Sequence, residues 1–123
     1  MDRFKTLTLN KEFKRLYYQG RKRNAYLLAT YAKPNRKRCC RIGITAGKKV
    51  GNAVVRNRIR RMIREAFRLL EKEMDLRGYD FVFVARSNAY GKKMNDIYRE
   101  MKKQVAFLVK FYEKEGSLRN KKR

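Results

Sequence analysis

Histidine and tryptophan are absent from the 123 residues, there is one proline, and the only two cysteines, Cys39 and Cys40, are adjacent. Without histidine the chain lacks the usual general base of neutral pH, which excludes Ser-His-Asp, Cys-His and zinc-hydrolase chemistry. Neighbouring cysteines cannot supply four metal ligands, and a disulfide between them would be strained, so they read as reduced thiols in a strand. Acidic residues are also scarce, 11 Asp+Glu against 35 Lys+Arg. They are dispersed, so spacing reveals no two-metal nuclease site and no other metal site. Asp75 and Asp80, the nearest candidates outside a helix, read as a loop and a strand-edge residue. No apolar run approaches the roughly 18 residues of a membrane span, and residues 1–9 carry Asp2, Arg3 and Lys5 in place of an apolar signal segment. A cytoplasmic location is expected.

What is present is a net charge of +24, a pI near 10.6, a 43% hydrophobic fraction and 15 aromatic rings, from 8 Tyr and 7 Phe. That is too apolar for a disordered basic tail, and the length suits one domain over residues 1–123. The ordered core is expected at about 7–115, with a mobile basic tail at 116–123. So positive a surface concentrates polyanions, which makes nucleic acid the first partner to consider and an anionic membrane the second.

Asn10 suits a helix N-cap, and Phe13, Leu16 and Tyr17 follow at helical spacing before Gly20, which predicts a helix over 10–19 with an aromatic stripe. Residues 25–32 suit a strand, with a turn at Lys33-Pro34-Asn35. In 39–46, Ile42, Ile44 and Ala46 alternate with Arg41, Gly43 and Thr45, the period of a half-buried strand. A loop at 47–52 leads into a long helix over 53–72. The apolar run at 79–85 has strand length and reads as buried on both faces. A last helix, capped by Asn95 or Asp96, runs to about Tyr112. One more strand is expected between 20 and 46. The chain thus reads as α+β, a single-domain α/β sandwich of order α-β-β-β-α-β-α around a mixed sheet of about four strands.

On the long helix Val55, Ile59, Met62, Ile63, Ala66, Phe67, Leu69 and Leu70 fill one side. Asn57, Arg60, Arg61, Arg64 and Arg68 gather within about 100° of arc on the other, with Arg58 and Glu65 flanking. Glu65 is the single acid among six arginines, so internal ion pairing does not explain them, and repulsion at this spacing costs a few tenths of a kcal/mol per pair. A solvated charged face is the plain alternative. Guanidinium forks match phosphate oxygens, and the lopsided charge favours polyanion binding.

The segment Gly51-Asn52-Ala53-Val54-Val55-Arg56-Asn57-Arg58-Ile59-Arg60-Arg61, continued by Met62-Ile63-Arg64-Glu65-Ala66-Phe67-Arg68 and preceded by Lys48-Lys49, resembles the RNR motif of the bacterial ribonuclease P protein family. Gly43 and the Asn10-Lys11-Glu12-Phe13 start of the first helix fit as well, and the resemblance spans about 7–112. Ala46-Gly47 departs from the more frequent Val-Ser, and Tyr17 stands where many members have Phe, which keeps a ring.

The resemblance implies a protein subunit without catalytic residues, joined to an RNA that uses Mg2+ to cut the 5′ leader from precursor tRNA. The protein itself is expected to hold no cofactor. Its implied RNA-binding residues are Lys48, Lys49, Asn52, Arg56, Asn57, Arg58, Arg60, Arg61, Arg64 and Arg68, with Asn57 offering both a donor and an acceptor. Phe13 and Tyr17 are implied to line a cleft for the single-stranded leader. Spacing alone favours core packing for both. The expected partners are the catalytic RNA and precursor tRNA, with no membrane and no protein partner. The resemblance also implies a left-handed β-α-β crossover around the arginine helix, against the right-handed form found in about 98% of such units. The competing readings are a ribosomal or general RNA-binding protein, from charge and the aromatic helix alone, and a protein-only nuclease.

Overall fold

The computed structural model describes the backbone of residues 3–121 and the side chains of 3–116. In chain order the elements are β1 (Phe4–Thr6), α1 (Asn10–Gln19), β2 (Arg21–Asn24), β3 (Leu28–Pro34), β4 (Cys40–Ala46), α2 (Ala53–Glu73), β5 (Tyr79–Ala85) and α3 (Met94–Lys121), with short 3-10 turns at Lys48–Val50 and Ser87–Ala89. The strands form one mixed sheet in the order β1-β4-β5-β3-β2. β1, β4 and β5 run parallel, and β3 and β2 complete the sheet antiparallel. α2 lies within the crossover from β4 to its parallel neighbour β5.

Both α2 and α3 cover one face of the sheet. The core there is built from Ile42 of β4, Phe81 and Phe83 of β5, Ile59, Ile63, Phe67 and Leu70 of α2, and Ile97, Met101 and Leu108 of α3. Each such side chain contributes about 1.5–3 kcal/mol relative to exposure. Buried polar groups tie α3 to the sheet: Thr30 donates to Gln104, which donates in turn to the Leu28 carbonyl at 3.1 Å. The Glu100 carboxylate accepts from the Leu27 and Leu28 N–H groups at 2.9 and 2.8 Å.

The opposite face is covered only in part, by α1. Leu16 is buried there with Leu7 and Val82, while Phe13, Tyr31 and Val84 stay partly open. Val82 and Val84 alternate with the core-facing Phe81 and Phe83, so β5 is apolar on both faces, as its sequence predicts.

Several elements depart from the sequence reading. The sheet has five strands rather than about four, because β1 precedes α1. Only Phe4 of its three residues is buried, so no alternation betrays it. The further strand expected after residue 20 is β2, whose four residues are all exposed. β3 is shifted to 28–34 and includes Pro34, placed in the predicted turn, because pairing of Pro34 with Tyr79 extends the ladder. Leu9, not Asn10, caps α1: Glu12 reaches back to the Leu9 N–H at 3.2 Å. Gly20 does end α1, in an extended conformation, and a Cβ there would lie 2.6 Å from the Leu16 carbonyl oxygen. α3 begins at Met94 and passes Tyr112 to reach Lys121, so 116–121 of the expected mobile tail is helical backbone. The helix formers Glu113, Lys114 and Glu115 sustain it where the apolar period stops. Residues 122–123 of that tail lie outside the described residues.

Candidate nucleic-acid interface

α2 starts where its sequence says it should. Asn52 is the N-cap, its Oδ1 accepting from the Val55 N–H at 3.0 Å. Gly51 before it has φ +155°, and a Cβ would come within 2.7 Å of Val55. Val50 is buried and anchors the turn that presents Lys48 and Lys49 to solvent. Asn52 therefore uses one lone pair of its side-chain oxygen on the helix, and its NH2 group is left to a ligand.

Asn57, Arg58 and Arg61 project into solvent, while Arg56, Arg60, Arg64 and Arg68 lie half-buried along the same helix. Arg60 folds back toward the sheet, donating to Asn57 Oδ1 at 3.1 Å and to the Ala46 carbonyl at 3.3 Å. Asn57 Oδ1 accepts from Arg60, which leaves its NH2 group and the second lone pair of the oxygen to a ligand. The single acid of the row, Glu65, is paired with Arg68. The Arg64 guanidinium sits 5.8 Å from the centroid of the Phe4 ring. Among the described residues Arg56 Nε is enclosed with no hydrogen-bond partner. An unmet buried donor costs on the order of 1–3 kcal/mol, so Arg56 gains by turning toward an external acceptor.

On the α1 side, Phe13 and Tyr17 stand 6.5 Å apart between ring centroids, and Tyr17 meets Tyr31 edge-on at 4.9 Å. The Phe13 ring rests on Gly43 of β4, and Tyr17 is 39% exposed. Burial pushes the Tyr17 hydroxyl above its usual pKa, against a hydrogen bond with Thr45. Lys22 Nζ lies 5.4 Å from the Tyr31 centroid. The result is a shallow aromatic cleft floored by the open sheet face and edged by a cation. Sequence reasoning found Phe13 and Tyr17 but missed Tyr31, Thr45 and Lys22. The signal for Tyr31 and Thr45 was their alternation with core-facing neighbours in β3 and β4.

A cavity of about 330 Å³ joins the two regions, lined by Thr6, Leu7, Phe13, Ile44, Arg60, Arg61 and Arg64. β1 stops at Thr6, so the edge of β4 beyond it is open, and Phe13 and three arginines converge there. Stripe and cleft are therefore one surface.

The cleft is braced at the Glu12 end of α1. Arg41 grips Asp80 through two bonds, Nε to Oδ1 at 2.9 Å and Nη2 to Oδ2 at 2.6 Å, and Glu12 through Nη1 at 2.6 Å. Asn35 donates to Asp80 Oδ1 at 2.8 Å. Asp80 is 5% exposed in a central strand, which corrects its reading as a strand-edge residue. Burial pushes Glu12 upward in pKa, but the Leu9 N–H and the Arg41 guanidinium outweigh it and hold the carboxyl below its usual range. The Asp80 hydrogen bond raises the Arg41 pKa. Asp75 does lie in a loop, paired with Arg77 at 2.8 Å. Burial pushes the Cys40 thiol up, which suits an inert core position.

The ribonuclease P family model matches residues 1–109. The chain belongs to the ribonuclease P protein family. A ribonuclease P protein component of Clostridium botulinum is 45% identical over 89 residues, 72% of this chain and 79% of the relative. One from Clostridioides difficile is 38% identical over 104 residues, 85% of this chain and 91% of the relative. Among solved structures, the Staphylococcus aureus ribonuclease P protein superposes with a TM-score of 0.69 at 28% identity, covering 87% of this chain and 94% of its own. The Thermotoga maritima protein shares the fold, with a TM-score of 0.72 at 21% identity, covering 85% and 94%.

Proposed function

We propose that the α2 stripe seats this ribonuclease P protein subunit on the catalytic RNA, while the α1 cleft holds the 5′ leader of precursor tRNA. The subunit role in 5′ processing of tRNA comes with the family, and in that enzyme RNA is the catalyst. Phosphates of the catalytic RNA lie along Arg61, Arg64 and Arg68, with Arg58, Lys48 and Lys49 extending the row. Arg60 and Arg56 turn outward to join it, and Asn52 and Asn57 donate through their amides. Leader bases stack on Phe13 and Tyr17, a contact every base allows, at about 1–3 kcal/mol each. Magnesium in this reading belongs to the RNA.

The observation that carries the proposal is the cavity shared by Phe13, Arg60, Arg61 and Arg64. It brings a base-stacking ring and phosphate-binding forks to one place, where a strand leaving the cleft meets the RNA on α2. No helix among the described residues is long and apolar enough to cross a membrane, and we place the protein in the cytoplasm with its RNAs. The test compares precursor and mature tRNA binding by the assembled enzyme. Phe13→Ala weakens precursor binding selectively, whereas equal losses for both substrates would assign the ring to packing alone. Cleavage of precursor tRNA by the protein freed of RNA would overturn the subunit reading.

A further inference from the structure

We propose that β2 and the outward side of α3 form a second RNA-binding surface, which takes the phosphate backbone of a duplex separate from the RNA on α2. The surface stands on its own residues; its consequence, that the protein bridges two RNA segments, rests on the α2 reading above.

β2 is the outer strand of the sheet opposite β1, and its residues Arg21 to Asn24 are all exposed. Arg21 lies over the Phe111 ring at 4.2 Å and Arg23 over the Phe107 ring at 3.9 Å. Each guanidinium thus sits over an aromatic ring of α3 while its residue stays exposed. Lys103, Phe107 and Lys110 follow at helical spacing on the same exposed side of α3.

Arginines seated over aromatic rings set this face apart from a merely solvated one, and among the described residues none of its cations is spent on an acid. Lys102, Arg99 and Arg77 are each paired with an acid, Glu73, Asp96 and Asp75. None of Arg21, Arg23, Lys103 or Lys110 has such a partner among the described residues, and the nearby Glu100 is committed to two backbone N–H groups. Four uncompensated cations remain, two of them held in place by stacking. Held forks of this kind suit phosphate oxygens.

The ring faces that could stack a base already carry arginine, so the surface offers charge and N–H donors. That chemistry reads a phosphate backbone of any sequence, which favours a duplex over an unpaired strand. β1 and β2 are the two outer strands, four strand spacings or about 19 Å apart, and the α2 stripe lines the cavity beside β1, so the two surfaces stand at opposite edges of the sheet.

The test is a two-RNA capture with the full chain. A biotinylated RNA duplex of about 16 base pairs is immobilised, loaded with protein at about 0.15 M salt and washed, and a fluorescent copy of the same duplex is added. The wild type captures the second duplex. Arg23→Gln with Lys103→Gln and Lys110→Gln still loads on the first duplex, yet captures the second about ten-fold less. Should Arg23→Gln disturb folding, Lys103→Gln with Lys110→Gln must show the defect alone, since those side chains are exposed and unpaired. Equal capture by the lysine pair variant, or no capture by the wild type while the triple variant still loads, overturns the proposal. Failure of the α2 reading is a separate outcome: the triple variant would then no longer load, and the wild type would load through β2 and α3 and capture nothing further.

Discussion

The Phe13 ring is seated on the backbone of Gly43, so closely that a Cβ at residue 43 would lie 2.5 Å from the ring. A strand glycine normally weakens a sheet, but here its missing side chain lets an aromatic ring approach the floor of the cleft. The ring position that lines the cavity with Arg60, Arg61 and Arg64 therefore depends on a residue in a different element.

Gly43→Ala is expected to lift Phe13 off the sheet and cost about 1–3 kcal/mol of stability through overpacking. Urea unfolding measures that cost, and precursor binding falls more than mature tRNA binding. Adding Phe13→Leu, a smaller side chain, restores stability without restoring leader discrimination.

Arg41→Met is expected to cost roughly 3–5 kcal/mol, because it leaves the Asp80 carboxylate buried without its cation. Replacing Arg41 and Asp80 together by apolar residues costs much less in the same unfolding experiment. A single variant no worse than the double would show that the pair carries no desolvation penalty.

The depressed Glu12 pKa makes a signed statement about acid stability. A carboxyl lowered from its usual 4.5 contributes stability that is complete above that value and is lost as pH falls through the folded value. Glu12→Gln should therefore be less stable than the wild type at neutral pH, and the difference should shrink below about pH 4.5. A difference that does not change with pH would show that the charge on Glu12 contributes nothing to stability.

Among the arginines, Arg61 is exposed, while Arg68 is paired with Glu65. Arg61→Ala should lower the slope of log K against log salt for the catalytic RNA by somewhat less than one unit. Glu65→Gln removes the competing carboxylate and should tighten binding a few-fold at low salt. Unchanged binding in Glu65→Gln would place Arg68 outside the contact.

Long periodic elements were legible in the sequence, and short or polar ones were not. α2 was expected at 53–72 and occupies Ala53–Glu73, and β5 coincides with its apolar run, because burial wrote its period into both. β1 and β2 hold one buried residue between them, so their existence depends on pairing with β4 and β3 and not on local pattern. The same applies to the site. The arginine row and two of the rings were visible as residue types at helical spacing. That Arg41 and Asp80 face each other follows from the register of β4 on β5, which places them side by side. Tyr31 joins the cleft through pairing with Val82 on the same face. The cavity that unites cleft and stripe exists because β1 stops after three residues, a length no periodicity shows.

Whether one surface holds the leader at Phe13 and the catalytic RNA at Arg61 is decided by photocrosslinking, with benzoylphenylalanine at residue 13 or at residue 61 in the assembled enzyme carrying labelled precursor tRNA. Crosslinks are expected from residue 13 to the 5′ leader and from residue 61 to the catalytic RNA. Crosslinks from residue 13 to the mature tRNA body, or none from residue 61 to the catalytic RNA, would contradict that arrangement.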